Sequence, residues 1–161
     1  MSEAGRRVGG MYSTRVSRWV GASRANVYRA LVDPDAIARW RVPTGMSSHV
    51  HEFDARVGGA FRISLSYEMS DEAGKSGAHT DTYHGRFAEL VPDERVVEVF
   101  EFETDDPMLR GEMRMTTSLR ELDGGTEVLM VHEGIPDAVP VDDNETGTRL
   151  ALENLALLVE G

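Results

Sequence analysis

The stretch from Ser47 to Glu133 repeats one pattern, because apolar and polar residues alternate along it in six runs. Alternation with a period of two predicts strands that have one buried face. The links between the runs have hairpin length, and such links place consecutive strands side by side in antiparallel order. The stretch is therefore predicted to form an antiparallel meander. Its runs lie near 47–54, 59–69, 79–90, 95–104, 111–122 and 126–133.

Other patterns precede and follow this meander. Residues 14–20 form a further predicted strand, and two short helices follow it, the second starting at Pro34 and ending near Trp40. After the meander, a long helix is predicted over residues 142–160. A curved sheet of about seven strands needs a cover on its concave face, and the long helix can supply it. We therefore expect an α+β fold in which the two short helices close one end of the sheet.

Composition and charge limit the functions that a chain of 161 residues with a net charge of -11 can have. The acidic charge argues against partners such as duplex nucleic acid or an anionic membrane. The sequence has no cysteine, which excludes disulfides and thiolate chemistry. It shows neither an apolar signal segment nor the roughly 20 apolar residues of a membrane span, so we expect a cytoplasmic protein. Residues 1–10 are predicted to be a disordered tail, and residues 11–161 a single domain.

Four blocks of the sequence resemble one known family. ASRANVYRALVDPDAIARW (22–40) resembles its opening helix pair, and HEFDARVGGAFRISLSY (51–67) its Asp-x-Arg-x-Gly-Gly-x-aromatic-Arg hairpin. GRFAELVPDERVV (85–97) and GGTEVLMVHEG (124–134) match two later blocks. Together they resemble the START-like (SRPBCC) superfamily, in the AHSA-like branch named for the activator of the heat-shock-protein-90 ATPase.

This resemblance implies the helix-grip fold, a curved antiparallel sheet with two short helices after its first strand. A long C-terminal helix would then cross the concave face. The chain departs from the family pattern at one point. The family often has Gly-Trp at the start of the last helix, where this chain has Gly147-Thr148.

Strand parity predicts which side chains face the long helix, because alternate residues of a strand point to opposite faces. The run 95–104 is ambiguous, and we choose the face with Glu98 and Phe100 because it carries both of the run's aromatic residues. Trp40 and one stripe of the long helix complete the set. The candidate ligand-binding residues are Trp40, Phe61, Ile63, Leu65, Tyr83, Phe87, Glu98, Phe100, Met113, Met115, Thr117, Met130, His132, Thr148, Leu152 and Leu155.

Glu98 and His132 are the candidates for acid–base chemistry within this set. Their strands should be separated by one other strand, so the backbones lie roughly 9–10 Å apart. Either the two side chains form the polar end of an apolar pocket, or both lie at strand ends and meet bulk water. His49 and His51 share a strand face, but a zinc site needs at least three protein ligands. We therefore expect neither a metal nor a cofactor.

Three functions are compatible with this set of residues. We expect a small apolar or aromatic molecule to bind in a cavity between the sheet and the C-terminal helix. The first alternative is a cyclase- or aromatase-like enzyme, in which His132 would shuttle a proton while Glu98 fixed its tautomer. The second is a co-chaperone-like interaction protein. Trp40 would be either one wall of the cavity mouth or a plug of the core.

Two expectations concern the long helix. Thr148 stands where the family pattern places a tryptophan, so we expect extra cavity volume beneath it. Leu150 and Leu157 lie seven residues apart and away from the inward stripe. Two leucines along one line of a helix indicate a contact surface, so we expect a homodimer that uses this face.

Overall fold

The computed structural model describes residues 7–8, 10–43, 45–67 and 80–161. The rest of the predicted tail 1–10, and the parts of the runs 59–69 and 79–90 within 68–79, lie outside the described residues. The elements in chain order are β1 (Arg7–Val8), β2 (Met11–Val20), α1 (Arg24–Leu31), α2 (Pro34–Trp40), β3 (Met46–Phe53), β4 (Ala60–Tyr67), β5 (Thr80–Val91), β6 (Arg95–Phe102), a 3-10 turn (Pro107–Leu109), β7 (Met113–Leu122), β8 (Gly125–Pro136) and α3 (Val141–Glu160).

The strands of the described residues form one antiparallel sheet with the order β1-β2-β8-β7-β6-β5-β4-β3. The six runs of the predicted meander are β3 to β8, each paired with its neighbour in the chain, and the predicted first strand, β2, pairs with β8. The α+β helix-grip fold is thereby confirmed. One detail differs from the expected tail over 1–10, because Arg7–Val8 pairs with Met11 and Tyr12. Gly10 adopts a φ of 81°, a backbone conformation that suits glycine and lets the chain reverse there.

The helix pair is built from strong local signals. The Ser23 hydroxyl accepts a hydrogen bond from the backbone N–H of Asn26, and Asp33 caps α2 in the same way, with Pro34 in its first turn. Trp40 ends α2 and is 1% exposed. Its indole N–H donates to the carbonyl of Ala30 over 2.9 Å, which fastens the end of α2 to α1. These contacts favour the interpretation of Trp40 as a plug of the core over that of a cavity wall.

Helix α3 covers the concave face of the sheet. Ala151, Leu152, Leu155 and Ala156 are buried there, and Thr148 is half-buried one turn before them. The opposite, convex face of the sheet carries mostly polar and charged side chains, such as Arg62 bound to Glu103 and His84 to the same carboxylate. The apolar interior therefore lies between α3 and the concave face. No helix in the described ranges is long and apolar enough to cross a membrane.

Gly85 allows β5 and β6 to approach each other closely beside the site. A Cβ atom at this position would lie 2.1 Å from the carbonyl oxygen of Val99 and 2.6 Å from the Cβ of Phe100. Phe61 and Phe100 are the cross-strand partners of Gly85 on its two sides. Because Gly85 has no side chain, the rings of Phe61 and Phe100 can occupy this part of the concave face.

Candidate functional site

The structure gathers the candidate residues in one apolar interior. Fourteen of the sixteen are buried, and Leu65 and Thr148 are half-buried. The register aligns Glu98, Met115 and His132 in a single row across β6, β7 and β8, because Met115 is the cross-strand partner of both polar residues. The row lies on the concave face that strand parity assigns to Glu98 and His132.

Aromatic rings lie beside this row. The ring centroids of Tyr83 and Phe100 are 5.6 Å apart, and those of Phe61 and Tyr83 are 6.2 Å apart. Phe87 packs against Phe61 at 5.2 Å. Such distances are typical of stabilising aromatic pairs. The rings of Phe61, Tyr83, Phe87 and Phe100 are named the aromatic cluster below.

Glu98 is bound to a cation that the sequence does not predict. Arg41, the residue directly after α2, places its Nη1 2.7 and 2.8 Å from the two carboxylate oxygens of Glu98. The Glu98 side chain is 4% exposed and that of Arg41 15%. Burial lowers the pKa of Arg41, but the charge of Glu98 and the hydrogen bond outweigh it, so the pKa lies above its usual value. The pair is therefore a buried ion pair that joins the helix pair to the centre of the sheet.

His132 lies at the other end of the row and is 8% exposed. Its Nδ1 is 3.1 Å from Nδ2 of Asn144, on the first turn of α3. The Asn144 side-chain oxygen accepts a hydrogen bond of 2.7 Å from the hydroxyl of Thr14, on β2. The imidazole stacks on Phe100, with centroids 5.5 Å apart and planes at 28°. His132 is therefore oriented by a polar relay of Thr14 and Asn144 and by one member of the aromatic cluster.

Two sequence-based interpretations of Glu98 and His132 are wrong. Both side chains are buried, at 3% and 8% exposure, so they do not meet bulk water at strand ends. Nor does Glu98 fix the tautomer of His132 as the enzymatic alternative required. Asn144 contacts the imidazole, while the carboxylate of Glu98 is held by Arg41.

Charge and burial set the protonation of this site. Burial, and secondarily the positive charge of Arg41, lower the pKa of His132 to about 3. Burial raises the pKa of Tyr83, and the charges of Arg41 and Glu98 act on it in opposite directions. The imidazole is therefore neutral at physiological pH, close to an ion pair whose charges compensate each other.

Two buried polar atoms have no hydrogen-bond partner in the described part of the chain, Nε2 of His132 and Oγ of Ser48. Ser48 is the cross-strand partner of Leu65 and shares its concave face. The sequence does not predict a role for Ser48, because one serine on a half-buried edge strand carries no distinctive pattern. Buried polar groups without partners are uncommon in folded proteins. These two atoms therefore have hydrogen-bonding capacity that no described residue uses.

The histidine pair of β3 is separate from this interior. The rings of His49 and His51 are 4.5 Å apart, and Nε2 of His51 lies 2.8 Å from the hydroxyl of Ser64. Among the residues that the structure describes, no three His, Cys, Asp or Glu side chains are arranged to hold a metal ion. The pair is part of a polar ladder on the outer surface, which continues from Ser64 to Thr82.

The ion pair can be tested by removing one charge or both. Arg41→Leu should lower the free energy of unfolding by about 3–5 kcal/mol, because it leaves the carboxylate of Glu98 buried without its cation. The double variant Arg41→Leu/Glu98→Leu should recover most of this loss, since no uncompensated charge remains. Urea unfolding measures both. Arg39→Leu, at an exposed position of α2, is the matched control, and an equal loss in it would contradict the assignment.

The low pKa of His132 makes stability depend on pH. The folded value of about 3 lies below the ordinary value of 6.5, so the unfolded state binds the extra proton first as the pH falls. The contribution of the neutral His132 to the free energy of unfolding is complete above pH 6.5 and is lost as the pH falls from 6.5 to 3. A difference of one in pKa between the folded and unfolded states changes the free energy of unfolding by about 1.4 kcal/mol.

We therefore expect His132→Leu to lose less stability than the wild type between pH 7 and pH 4.5, as measured by urea unfolding at each pH. Met130→Leu, a buried substitution on the same strand that removes no titratable group, is the control and should keep the wild-type pH dependence. Parallel curves for the wild type and His132→Leu would show that His132 does not titrate at a lowered pKa.

Comparison with known proteins agrees with the fold and the sequence blocks. The sequence model of the family described as Activator of Hsp90 ATPase homolog 1-like protein matches residues 21–160. Protein CV1439 from Chromobacterium violaceum is 36% identical, with a TM-score of 0.82 over 92% of this chain and 98% of that one. The AHSA1-like protein from Aeromonas hydrophila is 20% identical, with a TM-score of 0.68 over 92% of each chain, and shows the shared fold alone. No match was found among curated proteins. The chain therefore belongs to the family of Activator of Hsp90 ATPase homolog 1-like proteins, the AHSA-like branch of the START-like superfamily.

Proposed function

We propose that the protein binds a small apolar or aromatic molecule between the concave face of the sheet and α3. One observation carries the proposal: Nε2 of His132 is buried and has no hydrogen-bond partner within the described residues. Leaving a buried polar group without a partner costs about 1–3 kcal/mol. A ligand that supplies the partner would recover this free energy.

The surroundings of His132 fit such a ligand. Small-molecule sites are mostly apolar and contain a few polar groups that orient the ligand. The aromatic cluster offers ring faces for stacking. Met113, Met115 and Met130 are buried nearby on β7 and β8, and their flexible side chains can adapt to the shape of a ligand.

The arrangement supports binding better than catalysis. A general base works best when its pKa is near the operating pH, whereas the pKa of His132 is lowered to about 3. The carboxylate of Glu98 is engaged by Arg41, which contacts both of its oxygens in a buried ion pair. Neither residue is poised for the proton shuttle that the enzymatic alternative requires.

The name of the family supports a second candidate function, the activation of an Hsp90 ATPase. This function would use a protein surface rather than the interior. An ATPase assay with Hsp90 separates the two candidates. If the protein only binds a small ligand, adding the protein should leave the ATPase rate of Hsp90 unchanged, with or without a ligand that saturates the interior site.

Filling the interior tests the ligand proposal. The neutral fluorescent probe N-phenyl-1-naphthylamine should bind the wild type saturably, because it is apolar and aromatic. Thr148→Trp should weaken this binding by about tenfold or more, since the indole would occupy the volume that we expect beneath Thr148. The melting temperature should stay close to that of the wild type, because the expected volume accommodates the ring.

Thr146→Trp is the matched control, because Thr146 is exposed two residues earlier on α3. It should leave probe binding unchanged. Equal binding to both variants would contradict a site beneath Thr148. Failure of the wild type to bind the probe, together with no co-purifying small molecule in native mass spectrometry, would overturn the proposed function.

We also propose that the protein is a homodimer that uses one face of α3. Leu157 is 74% exposed and Leu150, two turns earlier, is half-buried. Leu157→Glu should then reduce the mass in light scattering from that of a dimer to that of a monomer, because it places a charge in an apolar contact. Glu153→Gln, at an exposed position between the two leucines, should keep the mass of the dimer. An unchanged mass for Leu157→Glu would remove this face from the interface.

The net charge of the chain indicates which classes of partner to exclude. A net charge of -11 opposes binding to nucleic acid and to anionic membranes. We place the protein in the cytoplasm, where a small apolar metabolite would be its partner.

A further inference from the structure

The polar relay determines which nitrogen of His132 carries the proton. The hydroxyl of Thr14 donates to the side-chain oxygen of Asn144, so the amide nitrogen of Asn144 faces the imidazole. An amide NH₂ group can only donate, and Nδ1 must therefore accept. A neutral imidazole has one N–H, which is then on Nε2. Thr14 on β2 and Asn144 on α3 thus determine that the proton is on Nε2.

This N–H is buried and unpaired among the described residues. His132 is 8% exposed, and its Nε2 has no acceptor in the described part of the structure. The low pKa of the ring keeps it neutral from about pH 5 upward. The site therefore presents one neutral hydrogen-bond donor beside the stacked ring of Phe100.

From this geometry we propose that the ligand carries a neutral carbonyl oxygen, as in an aromatic ketone, a quinone or an ester, and that this oxygen accepts the Nε2–H of His132. The inference rests on the proposed function and names the chemical class of its ligand. A hydrocarbon of the same shape would leave the donor unpaired. Sites built to bond a polar group discriminate strongly against analogues that lack it.

A carboxylate is a poor fit for the same site. Arg41 is a cation whose charge acts on His132, and both oxygens of Glu98 already contact it. An anionic ligand would have to share this cation with a second carboxylate, and the repulsion and the burial of an uncompensated charge would both oppose it. A neutral acceptor requires no rearrangement of the ion pair.

Matched probes test the inference. 2-Acetylnaphthalene carries the carbonyl, 2-isopropenylnaphthalene replaces that oxygen with a CH₂ group of similar shape, and 2-naphthoate adds a charge. Calorimetric titration of the wild type should give affinity for the ketone about tenfold higher than for the alkene. The carboxylate should bind more weakly than the ketone.

Two variants of His132 test whether the preference for the ketone over the alkene comes from its Nε2–H. His132→Leu removes the donor and should bring the ratio of ketone to alkene affinity close to one, with alkene binding retained. His132→Gln can place an amide N–H near the position of Nε2 and should keep a preference for the ketone. Circular dichroism of both variants checks that the fold is intact.

The tautomer of His132 can be measured without any probe, and it tests the inference separately. Long-range ¹H–¹⁵N NMR of the wild type, assigned with His132→Gln, should show the proton on Nε2. A proton on Nδ1 would overturn the inference. Equal wild-type affinity for ketone and alkene would also overturn it while leaving the proposed function standing. If none of the three probes binds and N-phenyl-1-naphthylamine fails as well, the proposed function fails and the inference fails with it.

Discussion

The buried ion pair between Arg41 and Glu98 is the constraint on which the interior of this protein depends. A carboxylate in the middle of a central strand is costly unless a cation and hydrogen bonds compensate it. The cation comes from the residue that follows α2, so the position of the helix pair on the sheet and the burial of Glu98 are linked. Trp40 and its bond to Ala30 hold the end of α2 in place. The charge that satisfies Glu98 also helps to lower the pKa of His132, which makes the imidazole a neutral donor.

Helix α3 therefore does more than cover apolar surface. Its first turn supplies Asn144, which connects Thr14 on β2 with His132 on β8. The relay makes the orientation of one imidazole depend on the docking of the helix. Because β2 and β8 are neighbours in the sheet, the three groups meet where the helix crosses the junction of the first and last long strands. The contact that Asn144 makes when α3 packs on the sheet is thus also the contact that sets the tautomer of His132.

The sequence predicts the row of Glu98 and His132 because period-two alternation decides which face a residue occupies. It does not predict Arg41, which follows the end of a short helix and belongs to no periodic pattern. Arg41 and Glu98 are 57 positions apart, and Thr14 and Asn144 are 130 apart. Contacts at such separations follow from how α2 and α3 pack on the sheet. A buried glutamate does signal that some cation must be near, but that signal cannot say which arginine provides it.

The departure of this chain from the family pattern at Thr148 lies beside the same relay. Residues four apart on a helix share a face, and the hydroxyl of Thr148 donates to the backbone carbonyl of Asn144 over 3.1 Å. A tryptophan at this position would project from the face of α3 that holds Asn144 against His132. We expect a small residue to leave room on that face, beside the buried Nε2–H of His132 to which we assign a ligand. The volume that we expect beneath Thr148 and the unpaired Nε2–H would then belong to one site. The volume would hold an apolar ring, and the donor would decide which polar atom that ring carries.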